Sequence, residues 1–77
     1  MTALGLYLAK RTVNKAEVSR RTGISKSRLT QLTANDSAKL RADELYLIAL
    51  AINVDPGEMF KGLFGGLGLR GKKDGNV

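Results

Sequence analysis

The apolar residues of this chain recur at helical spacing, and they predict a set of short α-helices. Strict alternation of apolar and polar residues, which would indicate β-strands, is scarce, and proline occurs once in 77 residues. The pattern therefore predicts an all-α fold of five helices. Three of them cover about 3–12, 15–22 and 26–33, the fourth starts near 42, and the fifth opens at 55–58.

Local signals define the ends of the second and third helices. Asn14 is a suitable N-cap for the second helix, and Gly23 suits its end. Ser25 is a suitable N-cap for the third helix, while Ile24 and Leu29 have the spacing of a hydrophobic staple. Two helices joined by a short turn that contains glycine form the helix-turn-helix arrangement.

The fourth helix contains eight consecutive apolar residues, 45–52, which form two apolar stripes. We therefore expect it to be the central helix and to be buried nearly all round. Arg41 stands where a Ser or Thr N-cap would be natural, and its side chain cannot cap. This predicts a poorly satisfied helix start, which a role for Arg41 in contacting a ligand would explain.

Glycine marks the end of the folded part of the chain. From residue 62 onward, six of sixteen residues are glycine, which makes a regular helix costly in backbone entropy. The sequence therefore predicts one helical domain over 1–64, followed by a flexible Gly-rich basic tail over 65–77.

Composition excludes most enzymatic chemistry. Without Cys or His, the chain lacks thiolate ligands, thiol nucleophiles and imidazole bases. The acidic pairs at 43–44 and 55–58 lie at predicted helix starts, where carboxylates suit the helix dipole. We therefore expect no enzyme activity, no metal and no cofactor. The apolar segments are too short for a leader or a membrane span, which predicts a soluble, cytoplasmic protein with no membrane partner.

The net charge of +6 is unevenly distributed along the chain. Residues 1–41 contain nine basic and two acidic residues, whereas residues 42–60 contain four acidic residues and no basic one. A concentration of positive charge of this kind indicates a polyanionic partner, either nucleic acid or an anionic membrane.

The residue pattern of the third helix favours DNA over a membrane as the partner. Leu29 and Leu32 share its inner face, and the opposite face is centred on polar positions without an acidic residue between 24 and 35. Amide and cationic side chains match the base edges of the DNA major groove. We predict base contacts from Lys26, Ser27, Arg28, Thr30 and Gln31. We predict phosphate contacts from Asn14, Lys15, Ser25, Asn35, Lys39 and Arg41. Arg20 and Arg21 are expected to be simply solvated.

The stretch from Leu4 to Leu63 resembles the lambda-repressor-like domain of Cro and C-repressor proteins, the XRE-type transcriptional regulators. The resemblance rests on Lys15, Ser19, Gly23, Ile24, Ser25, Leu29 and Leu32, and on a later group, Leu45, Ile48, Ala49, Val54, Asp55, Pro56 and Met59. It implies a DNA-binding fold, with base contacts at Lys26, Ser27 and Gln31, supported by Arg28 and Thr30.

The chain departs from that family pattern at three positions. Lys15 stands where Gln is common, which should steepen the salt dependence of DNA binding. Leu8 and Thr33 stand where many members have an Arg–Glu pair, so ordinary packing is expected there.

These observations together predict a sequence-specific DNA-binding regulator. It would insert helix 26–33 into the major groove as a homodimer on a palindromic operator, and repression by promoter occupancy is the simplest mechanism. The dimer interface is expected to draw on Tyr46, Leu47, Leu50, Phe60 and Phe64. The alternative is a protein-interaction module, such as the antitoxin of a toxin–antitoxin pair or a phage-type anti-regulator.

Overall fold

The computed structural model describes residues 1–70 and folds them into five α-helices without a β-strand in that range. This confirms the all-α prediction. None of these helices is long and apolar enough to cross a membrane. The predicted tail falls partly on residues 71–77, which lie outside the described residues, so the division into domain and tail stays a prediction. The helices are α1 (Ala3–Lys10), α2 (Lys15–Thr22), α3 (Lys26–Ala34), α4 (Ala42–Ala51) and α5 (Pro56–Phe64).

Helix α1 ends two residues before the predicted Thr12. Thr12 adopts a left-handed conformation with φ of 49°, and the amide of Val13 donates a 3.2 Å hydrogen bond to the carbonyl oxygen of Leu8. This is a Schellman-type ending, which usually uses glycine. The predicted end was wrong because a β-branched residue rarely adopts this conformation, so the sequence carries no signal for it.

One apolar core joins the five helices. It takes at least one buried side chain from each helix, and α3 contributes its predicted inner pair, Leu29 and Leu32. Burying these side chains is the main favourable term in folding, worth about 1.5–3 kcal/mol for each large aliphatic residue. The buried apolar residues are Leu4, Leu8, Val18, Leu29, Leu32, Leu45, Ile48, Ala49 and Met59.

Helix α4 is buried on one side only, so the expectation that it is buried nearly all round was wrong. Ile48 is fully buried, whereas Tyr46, Leu47 and Leu50 are 53%, 38% and 48% exposed. Within residues 1–70, α2 and α5 pack against α4 and leave its outer side uncovered. Four other helices of eight or nine residues each are too few to enclose it.

The start of the chain is fastened to the end of α3. The amide of Thr2 donates to the carbonyl oxygen of Thr33 at 3.0 Å, and the Thr2 hydroxyl donates to that of Leu32 at 2.7 Å. The same hydroxyl oxygen caps α1 by accepting from the amide of Gly5 at 3.0 Å. A Cβ atom on Gly5 would overlap the Thr33 carbonyl oxygen. The close approach of α1 to α3 therefore requires glycine at position 5.

Leu8 and Thr33 are both buried, as expected for packing in place of a charged pair. The Thr33 hydroxyl donates a 2.9 Å hydrogen bond to the carbonyl oxygen of Leu29, so its burial leaves no polar atom unpaired.

We predict that Gly5→Ala destabilises the fold by about 1–3 kcal/mol, because the new methyl group forces α1 away from α3. Helix propensity alone would predict that the substitution stabilises the fold, since Ala is favoured over Gly by about 1 kcal/mol inside a helix. Urea denaturation followed by circular dichroism measures the difference. In the control Gly66→Ala, the added Cβ meets nothing within 4 Å, and we expect a change below about 0.5 kcal/mol. A Gly5→Ala variant as stable as the wild type would contradict the close approach.

Candidate nucleic-acid interface

The turn between α2 and α3 has the geometry that the sequence predicts. Gly23 is left-handed, with φ of 82°, and its amide donates to the carbonyl oxygen of Ser19 at 2.9 Å. The Thr22 hydroxyl oxygen accepts from the amide of Ile24 at 3.1 Å, which fixes the direction of the chain after the glycine. Glycine adopts this conformation without the steric cost that other residues incur. The three-residue turn, 23–25, therefore sets α3 at a defined angle to α2.

The predicted N-caps of both helices are confirmed. The side-chain oxygen of Asn14 accepts from the amides of Ala16 and Glu17, at 2.9 and 3.2 Å. The Ser25 hydroxyl oxygen accepts from the amide of Arg28 at 3.1 Å. Both caps are exposed, and both retain a donor, the Asn14 side-chain NH₂ and the Ser25 hydroxyl proton, with which they can bind a phosphate. Capping and the predicted phosphate contacts are therefore compatible.

The outer face of α3 is polar, exposed and free of acidic residues. Lys26, Ser27, Thr30 and Gln31 all lie on it, and none of these side chains makes a hydrogen bond to any residue of 1–70. We call these four residues the α3 face. Their donors and acceptors are available to an external partner, and they include the amide and ammonium groups that read adenine and guanine in the major groove.

Arg28 is the one predicted base-contacting residue that the structure places elsewhere. Its Nε donates to Oε2 of Glu44 at 2.8 Å, and one Nη donates both to Oε1 of Glu44, at 3.0 Å, and to the carbonyl oxygen of Lys39, at 2.8 Å. The guanidinium group therefore points towards α4 and the α3–α4 loop. A base contact from Arg28 would require these three bonds to break.

Glu44 is buried, with 6% of its surface exposed. Its side chain joins α4 to α3 through the ion pair with Arg28. The hydrogen bonds from Arg28 lower the pKa of the Glu44 carboxyl and outweigh its burial, which raises it, while the Arg41 amide adds to the lowering. The same bonds raise the pKa of Arg28. Both carboxylate oxygens are thus occupied, as a buried charge requires.

The start of α4 is better satisfied than the sequence suggests. A guanidinium group has no acceptor, so Arg41 cannot cap the helix, but Oε1 of Glu44 accepts from the Arg41 amide at 2.9 Å. This forms the Glu half of a capping box. The Arg41 side chain instead pairs with exposed Asp43 at 2.8 Å. The prediction that the Arg41 side chain does not cap is therefore confirmed, the start of α4 is better satisfied than expected because of Glu44, and the phosphate contact of Arg41 stays a prediction.

The remaining predicted phosphate contacts come from the start of α2, the end of α3 and the loop that follows α3. Lys15 is exposed at the first residue of α2. Lys39 is exposed in the loop after α3, where Arg28 holds its carbonyl group. Asn35 ends α3, and its side-chain oxygen accepts from the amide and the hydroxyl of Ser37, at 2.9 and 2.7 Å.

Arg21 is not simply solvated, as the sequence reading expected. Its guanidinium donates to the carbonyl oxygen of Ala51 at 2.9 Å, which satisfies the last turn of α4. Arg20 forms an exposed ion pair with Glu17, one turn away on the same helix. Both guanidinium groups therefore bind oxygen atoms of the protein.

The predicted dimer residues lie at the surface of α4 and α5. Tyr46, Leu47, Leu50 and Phe60 are exposed, whereas Phe64 is half-buried. The ring centroids of Phe60 and Phe64 are 5.2 Å apart. Within residues 1–70, no group of acidic side chains is arranged to hold a metal ion.

We predict that acid weakens the wild-type fold more than the Glu44→Gln variant. Because folding lowers the pKa of Glu44, its contribution to stability is present above about pH 4.3, where a glutamate in the unfolded chain is ionised, and is lost as the pH falls through the folded pKa. The Tm of the wild type should exceed that of the variant at pH 7. The difference should narrow from about pH 5 downward. Parallel Tm curves in a calorimetric titration would contradict this assignment.

A comparison with family models matches residues 4–61 to the Cro/C1-type HTH DNA-binding domain. The match includes all five helices apart from the first residue of α1 and the last turn of α5. Among the curated proteins and the solved structures, no significant match was found. The matched segment contains the turn, both N-caps and the α3 face, and it covers three quarters of the sequence. The chain therefore belongs to the Cro/C1-type helix-turn-helix family of DNA-binding domains.

Proposed function

We propose that this protein is a sequence-specific transcriptional regulator that inserts α3 into the major groove of its operator. The observation that carries the proposal is the α3 face, whose four polar side chains are exposed and unpaired within residues 1–70 and have no acidic neighbour on that face. Repression by promoter occupancy is the simplest mode of action for a domain of this size. The proposal places the protein in the cytoplasm and involves no catalytic step.

Each side chain of the α3 face has a role that fits its chemistry. Gln31 pairs with the N6 and N7 edge of adenine, and Lys26 donates to the acceptors of guanine. Ser27 and Thr30 bind either base edges or phosphates. Lys15 on one side and Lys39 on the other bind the DNA backbone and fix the register of α3.

We further propose that the protein acts as a homodimer on a palindromic operator with half-sites about one helical turn apart. Ala42, Tyr46 and Leu50 follow one another at i, i+4 spacing along the outer side of α4. Ala42 also lines a groove of about 310 Å³ together with Phe60 and Phe64. The apolar surface is therefore continuous from α4 to α5, as expected for an interface between two copies.

The same apolar surface supports the alternative function, a protein-interaction module such as an antitoxin. The two functions differ in what covers Tyr46, Leu50 and Phe60, which is a second copy in one and a foreign chain in the other. Sedimentation of the purified protein tests the first, because a homodimer forms without a foreign chain. A monomer that dimerises neither alone nor on its operator would favour the alternative.

We predict that Gln31→Ala and Lys15→Ala weaken DNA binding in different ways. Gln31→Ala should relax discrimination at one or two base pairs by about 1–3 kcal/mol, because the α3 face loses a base-specific contact. Lys15→Ala should weaken all sequences alike and reduce the slope of log K against log[salt] by about one unit. Fluorescence anisotropy on the DNA upstream of the coding region and on a random duplex measures both effects. Identical behaviour of the two variants would contradict the placement of α3 in the groove.

We predict that Leu50→Glu weakens dimerisation at least about tenfold, since it places a charge in the proposed interface. Leu6 supplies a matched control, because it is 51% exposed, close to the 48% of Leu50, but lies on α1. Leu6→Glu should leave the dimer intact. Analytical ultracentrifugation over a concentration series gives both dissociation constants. Equal loss in the two variants, or none in either, would place the interface elsewhere.

A further inference from the structure

Glu44 is unusual among the acidic residues of 1–70 because its one buried carboxylate binds both α3 and the end of the α3–α4 loop. It accepts two hydrogen bonds from Arg28 of α3 and one from the backbone amide of Arg41, where the α3–α4 loop ends. Arg28 in turn donates to the carbonyl oxygen of Lys39 within that loop. The pair thus holds the loop backbone at two positions, 39 and 41, against α3.

The loop has few other restraints. Between residues 36 and 40, the hydrogen bond from Arg28 is the only one that reaches the loop from elsewhere in residues 1–70. The others join Ser37 and Ala38 to Asn35 at the start of the loop. Half-buried Ala38 and Leu40 rest against the core, but apolar packing is non-directional. The Arg28–Glu44 pair is therefore what fixes the orientation of the backbone that carries Lys39 and Arg41.

We propose that Glu44 is a positioning residue for DNA binding, which acts through Arg28 to hold the cations of the α3–α4 loop beside the α3 face. This inference rests on the proposed function, since it assigns the loop to the DNA backbone. Under this proposal a negatively charged residue increases the affinity of the protein for DNA, which is itself a polyanion. Arg28 is the residue of α3 that binds both Glu44 and the loop.

Whether Glu44→Gln raises or lowers the affinity for DNA distinguishes positioning from the two other roles open to this pair. Were Glu44 only a charge near DNA, replacing it with Gln would raise affinity, because a repulsive charge is removed. Were Arg28 a direct DNA contact restrained by Glu44, the same substitution would release it and again raise affinity. Positioning alone predicts a loss, because the loop cations leave their places.

The test uses Glu44→Gln in the full chain, titrated by fluorescence anisotropy against upstream DNA and a random duplex at several salt concentrations. We expect affinity to fall about threefold to tenfold on both DNAs, and the salt slope to decrease by about one to two units as one or two phosphate contacts are lost. The matched control is Glu58→Gln, which removes an exposed carboxylate in the first turn of α5. It should leave affinity and slope unchanged or slightly raise the affinity.

Arg28→Lys keeps the charge but replaces the planar fork, so one side chain no longer holds Glu44 and the Lys39 carbonyl group in the same geometry. We expect it to lower affinity in the same direction as Glu44→Gln. Opposite signs for the two variants, or unchanged or increased affinity in folded Glu44→Gln, would overturn the proposal. Circular dichroism at the assay temperature verifies folding, and Arg28→Lys carries the test if Glu44→Gln does not fold.

Failure of the proposed function gives a different result. A wild-type protein that binds upstream DNA no better than random duplex refutes sequence-specific regulation. The salt slopes of wild type and Glu44→Gln on random duplex still report whether the loop cations are held in place. Equal slopes there refute the positioning role, and a smaller slope in the variant supports it.

Discussion

The ion pair between Arg28 and Glu44 is the contact that holds the α3–α4 loop against α3, beside the surface proposed to bind DNA. Apolar packing of Leu29 and Leu32 holds α3 to the core, but the hydrophobic effect is non-directional and does not orient the loop that follows. The forked hydrogen bonds of a guanidinium are directional. Because Glu44 is buried, it needs these partners to remain charged, and the need for pairing makes the arrangement specific. One carboxylate therefore accepts from the N-cap amide of α4 and binds the arginine that joins α3 to the loop.

Within residues 1–41 the arginine side chains bind protein oxygens and the lysine side chains do not, although the pair of Arg41 with exposed Asp43 leaves that cation at the surface. Arg20, Arg21 and Arg28 all bind protein oxygens, as expected of a planar group with several donors. Lys15, Lys26 and Lys39 remain exposed. The charge of +7 in the first 41 residues therefore overstates what faces a polyanion locally, although all of it contributes to the long-range field.

Sequence reasoning succeeded where the deciding interactions are local. The caps at Asn14 and Ser25 and the left-handed Gly23 each depend on neighbours within four residues, and all three were predicted. It missed Arg28–Glu44, Arg21–Ala51 and Thr2–Leu32, whose partners are 16, 30 and 30 residues apart. Such pairs exist only after the helices have packed. Glu44 carried a signal of its own as the third residue of a helix start, but nothing nearby showed that a second cation would reach it.

Helix α4 shows a different limit, since an apolar run looks the same in sequence whether it faces a core or a partner. Leu45 and Ile48 are buried, while Tyr46 and Leu50 on the opposite side are exposed. Glu44 of α4 binds Arg28 of α3, and the outer side of α4 presents the surface proposed for dimerisation. A helix of ten residues is short enough to act as one rigid body. In the proposed dimer the interface lies on α4, and α3 connects to that helix through α2, which packs against both, and through the Arg28–Glu44 pair. These two connections therefore set the spacing of the two half-sites.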